Sequence, residues 1–245
     1  MEKYVVDKIV SYQDIDFSGK IKLSSLFSIL SEVATEHALL LGVWDHSMID
    51  NYGWILAKMY IEINKPIIYE EKIRIRTWPS INSKVVFPRY YELLNENSDI
   101  IAVVSSVWTL LDLRKRRIAI PSRVGIKFPD NLIDEISTSL PDDIIASDKL
   151  EYLSKRKVVY SDLDTNLHVN NARYIEWVCD LLDFRNFEEG FINRLTIQFR
   201  KEIKFGTIVY FYIESTDESF IVYGSDELGL NHYFEVSGYW EKERR

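Results

Sequence analysis

The chain repeats itself, and the repeat limits what it can fold into. Tyr12-Gln13-Asp14-Ile15-Asp16 returns 148 positions later as Tyr160-Ser161-Asp162-Leu163-Asp164. In both copies an amphipathic helix is expected next. Leu23, Leu26, Phe27, Leu30, Val33, Ala34 and Leu41 recur at helical spacing in the first. Ala172, Ile175, Val178 and Leu182 do so in the second, after Asn170 and Asn171, residue types that cap helix N-termini. Strand-like runs follow in matching order. Ile61 to Pro66 aligns with Ile197 to Glu202, and Tyr91 and Trp108 align with Tyr223 and Trp240. Further runs are Ile73 to Thr77, Ile208 to Ile213, Ile100 to Leu111 and Tyr233 to Trp240.

Each copy therefore reads as an entry strand, a loop, one long helix and several antiparallel strands. That is the plan of an α+β hotdog unit, and the chain reads as a tandem, or double, hotdog. Two curved sheets of this kind can join edge to edge and so protect their edge strands. The expected division is an N-terminal unit over 1–124, a linker over 125–147 rich in Asp, Pro and Ser, and a C-terminal unit over 148–245.

Composition removes several classes of function. The 47% hydrophobic share supplies a real core, and the formal charge of −8 disfavours a nucleic-acid partner. The single cysteine, Cys179, rules out an internal disulfide and fits a reducing, cytoplasmic setting. No apolar run is long enough for a membrane span, and Met1 to Asp7 does not read as a signal peptide. No Cys/His cluster, glycine-rich phosphate loop or Gly-x-Ser-x-Gly elbow is present, so no metal or other cofactor is expected.

The difference between the two copies points to the chemistry. Asp16-Phe17-Ser18-Gly19-Lys20 corresponds to Asp164-Thr165-Asn166-Leu167-His168, and only the second carries Asn and His. Alternation places Asp164, Asn166 and His168 on one side of an extended loop, just before a helix N-terminus. That end offers unpaired amides and a positive dipole that can polarise a carbonyl. His168 can move protons near neutral pH, Asn166 can hold a water or a carbonyl, and Asp164 can orient either neighbour. The same string also reads as turn and capping chemistry alone. Glu202, expected in a strand among Arg200, Lys201 and Ile203, is a fourth candidate as a base for water. It reads equally as a surface acid paired with Lys201 or Lys204. The remaining histidines carry less weight. His37 falls on the first helix as polar surface or a satisfied core residue, and His46 and His232 have no partner in sequence. Cys179 reads as a small apolar residue inside the second helix.

The string Asp164-x-Asn166-x-His168-Val169-Asn170-Asn171-x-x-Tyr174-Ile175, with Arg200-Lys201-Glu202 downstream, resembles the acyl-acyl carrier protein thioesterases of plants and bacteria. In the first half Asn51-Tyr52-Gly53-Trp54, Thr77-Trp78 and Arg116-Arg117 before Pro121 are similar to that family too. His-Val-Asn-Asn recurs in other hotdog thioesterases, and the first-half features narrow the resemblance. It implies a double hotdog that hydrolyses fatty acyl thioesters of an acyl carrier protein without metal or redox cofactor. It also implies Asp164, Asn166, His168 and Glu202 as the catalytic set. Asn170, Asn171 and Trp54 become substrate-binding candidates, with Trp54 and the first helix beside the acyl slot. Plant members have Cys directly after the Glu; here that position is Ile203, so a cysteine nucleophile is not expected there.

An acidic carrier would need a basic patch. Arg114-Lys115-Arg116-Arg117, and Arg173 with Arg200, Lys201 and Lys204, are the candidates. An acyl-CoA hydrolase and a non-catalytic acyl-thioester binder are the alternative readings, with a hotdog dehydratase a weaker rival. Two fused units can complete the sheet within one chain, while a homodimer is a common assembly, so both stay open.

Overall fold

The computed structural model describes residues 3–48, 50–80, 83–145, 147 and 149–243, and the side chain of His46 lies outside that description. The first half contains β1 (Tyr4–Ile9), α1 (Leu23–Leu40), β2 (Tyr52–Ile63), β3 (Lys72–Pro79), β4 (Phe87–Leu94), β5 (Ile100–Asp112) and β6 (Arg117–Ile118). The second contains β7 (Glu151–Lys157), α2 (Asn171–Leu181), α3 (Phe184–Glu189), β8 (Gly190–Phe199), β9 (Ile208–Ser215), β10 (Ser219–Ser225) and β11 (His232–Lys242). The strands form one antiparallel sheet in the order β1-β3-β4-β5-β2-β8-β11-β10-β9-β7, with β6 paired to β5. Read outward from the β2–β8 pair, the two halves have the same order, as a duplicated unit requires. The two sheets do join edge to edge, through Lys58↔Gln198, Met59↔Ile197, Tyr60↔Thr196, Ile61↔Leu195 and Glu62↔Arg194.

The two longer helices, α1 and α2, pack against each other and share one core with the sheet. A single apolar core takes in Leu26, Phe27, Leu30 and Val33 of α1 with Ala172, Ile175 and Val178 of α2. The spacing that predicts α1 is the spacing that buries it. The second helix is shorter than its periodicity suggests. Leu182 is extended (ψ 155°), and Asp183 caps a new helix by accepting from the Arg185 amide at 2.9 Å.

Residues 125–147 carry no strand or helix among those described, yet they are held to the sheet. Trp78 Nε1 donates to the Glu135 carbonyl at 2.8 Å, and Ser105 Oγ to that of Ser139 at 2.6 Å. Asp143 accepts from Lys58 Nζ at 2.6 Å and Gln198 Nε2 at 3.0 Å. Those two residues face each other across the β2–β8 junction, so one carboxylate bridges the two halves where they meet.

Candidate active site

The loop before each helix is built in the same way. In the second half Asp164 Oδ1 accepts from the amides of Asn166 at 2.8 Å and His168 at 3.1 Å, and the Asp164 amide donates to the His168 carbonyl at 2.8 Å. In the first half Asp16 Oδ1 accepts from the amides of Ser18 at 2.8 Å and Lys20 at 3.2 Å. Because the copy without Asn and His folds identically, the Asp164 carboxylate is committed to loop geometry. Its second oxygen lies 3.5 Å from Asn166 Nδ2. The left-handed position of the loop is Gly19 (φ 80°) in one copy and Leu167 (φ 62°) in the other. A branched side chain held there costs about 1 kcal/mol and sits beside the candidate site.

Asp162, one turn earlier, anchors the loop to the core. Its carboxylate is 1% exposed and accepts from the Val159 amide at 2.8 Å, Arg156 Nη2 at 2.9 Å and Trp177 Nε1 at 3.3 Å. On the far side of the loop, Asn170 caps α2, its Oδ1 accepting from the Ala172 amide at 2.9 Å. Its Oδ1 is thus engaged in the cap, and Asn170 is not among the residues that line the cavity described below. Asn171, at the first helical position, does line it.

Glu202 is not in a strand, contrary to the sequence pattern. β8 ends at Phe199 because the amides of Arg200 and Lys201 both donate to the Tyr233 carbonyl, at 2.9 and 3.0 Å. The following segment is gathered toward the loop: the Val169 amide donates to the Ile203 carbonyl at 2.9 Å, and His168 forms a bridge with Lys204. This brings Glu202 Oε2 to 3.5 Å from His168 Nε2. The same oxygen accepts from Arg116 Nη2 at 2.7 Å. Arg116 belongs to the first half, on the β5–β6 turn, and has a left-handed backbone (φ 51°). Sequence reasoning placed Arg116 in a basic patch and among the first-half features of the family resemblance; no local pattern reveals that it crosses to Glu202.

Asp164, Asn166, His168, Glu202 and Arg116 all line one cavity of about 840 Å³. In the first half its wall is mostly apolar, from Ala34 and Ala38 of α1 to Trp54, Phe87 and Phe128. Trp54 is fixed by Nε1 donating to the Val43 carbonyl at 3.0 Å and by edge contacts with Phe87 and Phe128, at 5.1 and 5.9 Å. Polar residues interrupt this wall, Thr35, Thr109 and Arg89 among them. Arg89 of β4 is 6% exposed, and its Nη1 donates to His37 Nδ1 and Thr77 Oγ1, both at 3.1 Å. His37 is therefore a satisfied core residue, and burial followed by the nearby Arg89 charge pushes its pKa down to about 4.

The other candidates lie apart from this set. Cys179 is partly buried in α2, outside the cavity wall, and burial pushes its thiol up to about 12. His232 lies between Glu235 Oε1 at 2.8 Å and the Gly229 carbonyl. Of the basic residues proposed for a docking patch, Arg200 is held by Glu235 at 2.9 Å and Arg173 by Glu176. Among the described residues no group of His, Cys, Asp and Glu is arranged to hold a metal ion, and no helix is long and apolar enough to cross a membrane.

Two helices against one mirrored antiparallel sheet, with a polar cluster before the second helix, define a double-hotdog protein. Solved structures agree on the fold. An acyl-ACP thioesterase from Bacteroides thetaiotaomicron superposes with a TM-score of 0.89 at 24% identity, covering 98% of each chain. The 12:0-ACP thioesterase from Umbellularia californica gives 0.84 at 17% identity, also over 98% of each. Residues 2–124 match the family model described as acyl-ACP thioesterase N-terminal domain, and residues 146–241 the C-terminal domain. The chain belongs to the acyl-ACP thioesterase family. Among curated relatives, a chloroplastic acyl-[acyl-carrier-protein] hydrolase of Cuphea viscosissima is 26% identical over 202 residues, 74% of this chain and 47% of the relative. The chain thus spans about half the length of such relatives.

Proposed function

We propose that this protein hydrolyses fatty acyl–acyl carrier protein thioesters to free fatty acid and carrier thiol. The observation that carries the reading is that Asn166, His168 and Glu202 line one largely apolar cavity of about 840 Å³ shared by the two halves. The acyl chain lies in the first-half wall past Trp54, and the thioester carbonyl lies at the α2 N-terminus, whose dipole favours developing negative charge.

Glu202 takes a proton from water as the water oxygen attacks the carbonyl carbon. Asn166 and His168 donate to the carbonyl oxygen and stabilise the tetrahedral oxyanion. Collapse breaks the C–S bond, and the proton held by Glu202 returns to the departing sulfur. Asp164 holds the loop that aims His168, and Arg116 fixes the Glu202 carboxylate in one orientation. The exposed basic turn at Arg114, Lys115, Arg116 and Arg117, of which Arg116 lines the cavity, suits an acidic carrier.

Thiol release from acyl carrier protein measures the reaction directly. Glu202→Gln and His168→Ala should each lower kcat by roughly 10²–10⁴-fold while the urea midpoint of unfolding stays close to wild type. Near-normal turnover in either folded variant removes that residue from the mechanism. Equal or better turnover of acyl-CoA than of the carrier-linked chain counts against the carrier as substrate.

A further inference from the structure

Arg89 has no role in the reaction just described, and its surroundings are unusual for an arginine. It is a buried cation with no carboxylate partner among the described residues. Its two hydrogen bonds both use Nη1 and both end on neutral acceptors, His37 Nδ1 and Thr77 Oγ1. Neither Nε nor Nη2 makes a hydrogen bond among those residues, and Arg89 lines the cavity together with Ala34, Ala38, Pro79 and Phe87. Buried charges are normally paired or fully hydrogen-bonded, because the desolvation cost is otherwise uncompensated. A plain hydrocarbon tail passing here leaves those donors unmatched. An oxygen atom on the tail satisfies them with charge-assisted bonds.

The position along the chain follows from the sheet. β4 is separated from β8 by β5 and β2. Three strand spacings make roughly 14 Å, which places Arg89 well away from the Glu202 segment that follows β8. We propose that Arg89 is a specificity residue for acyl chains that carry an oxygen function, a hydroxyl, oxo or carboxylate group, in their distal part. This rests on the reading of the cavity as the acyl slot and extends it from fatty acyl chains in general to oxygenated ones. The planar guanidinium accommodates a hydroxyl, an oxo group or, bidentately, a carboxylate, so the preference is for the oxygen and its position.

The test measures binding by the whole protein and does not require turnover. Calorimetric titration compares saturated fatty acids with isomers of the same length bearing one hydroxyl walked along the chain, and with the α,ω-dicarboxylic acid. One distal isomer or the dicarboxylic acid should bind roughly ten- to a hundredfold more tightly than the unsubstituted acid, the span expected for a hydrogen bond to a buried charge. Arg89→Met should abolish that preference. The wild-type series decides the matter even if Arg89→Met does not fold. Tighter binding of unsubstituted acids than of every oxygenated one, no binding of any member, or a preference kept in folded Arg89→Met overturns the proposal. The two readings fail separately. Thiol release from plain acyl chains without an oxygen preference sinks this one alone, whereas an oxygen preference without thiol release from any carrier-linked chain sinks the hydrolase reading alone.

Discussion

His37 makes the stability of the first half depend on pH in a way that can be calculated. The ring is 4% exposed, stacks on Tyr4 with centroids 5.1 Å apart, and accepts from Arg89 through Nδ1. Protonation would remove that acceptor and put two cations side by side in the core. The folded-state value near 4 lies below the 6.5 of an unperturbed histidine. The folded protein therefore binds fewer protons at this site than the unfolded chain between those values, and stability falls as pH falls through that window. At pH 7 the linkage contributes almost nothing. At pH 5 the unfolded-state histidine is nearly all protonated and the folded one is not, a loss of about 2 kcal/mol relative to pH 7. Carboxylates titrate in the same range, so the measurement is a difference between proteins. Urea unfolding of wild type and His37→Asn at pH 7 and pH 5 isolates the site, since Asn keeps an acceptor toward Arg89 but does not titrate. Wild type should lose about 2 kcal/mol more than the variant on acidification. Parallel pH dependence in the two proteins would refute the assignment of a neutral, acceptor His37.

Arg116→Ala should lower kcat by roughly tenfold or more on a small acyl thioester that lacks the carrier, with KM little changed, because the loss is one of carboxylate orientation. Arg116→Lys should restore part of it, and unchanged kcat for Arg116→Ala would leave the arginine with docking alone. Asp162→Asn should destabilise the fold by about 3 kcal/mol in urea, since a buried acceptor of three hydrogen bonds becomes in part a donor; a shift below about 1 kcal/mol would mean that the loop is held otherwise. Cys179→Ala should keep turnover within about twofold, and iodoacetamide should leave the folded enzyme active at neutral pH, because a thiol with a pKa near 12 carries almost no thiolate. Inactivation by the reagent would reopen thiol chemistry.

The repeat made the architecture readable. Two helices at 3.6-residue spacing and matching aromatic strands define the two units, and the mirrored strand order follows from duplicating one unit. What failed to show was whatever depends on contacts between the halves. Glu202 reads as a strand residue because it ends the run from Ile197 that aligns with Ile61 to Pro66 of the first half. The strand stops earlier because Arg200 and Lys201 share one carbonyl on β11. Asn170 and Asn171 are indistinguishable as letters, and only the cap geometry separates the one that closes the helix from the one that faces the cavity. The contact of Arg116 with Glu202 does not show in the sequence because it acts across the two halves, and Arg89 does not stand out because it lies in a strand whose residues are all buried. His37 could be narrowed to surface or core from its spacing, and Arg89 decides between them.

The carboxylate at position 202 is held by a histidine of one half and an arginine of the other, and the halves are welded along a single pair of strands. Any slip of that weld by one residue would turn every side chain on β8 to the opposite face and carry the Glu202 segment away from its arginine. If Glu202 is the base proposed above, catalytic rate reports on the alignment of the join. On the proposed mechanism, damage at Lys58, Gln198 or the bridging Asp143, none of which lines the cavity, would be read out first as lost turnover.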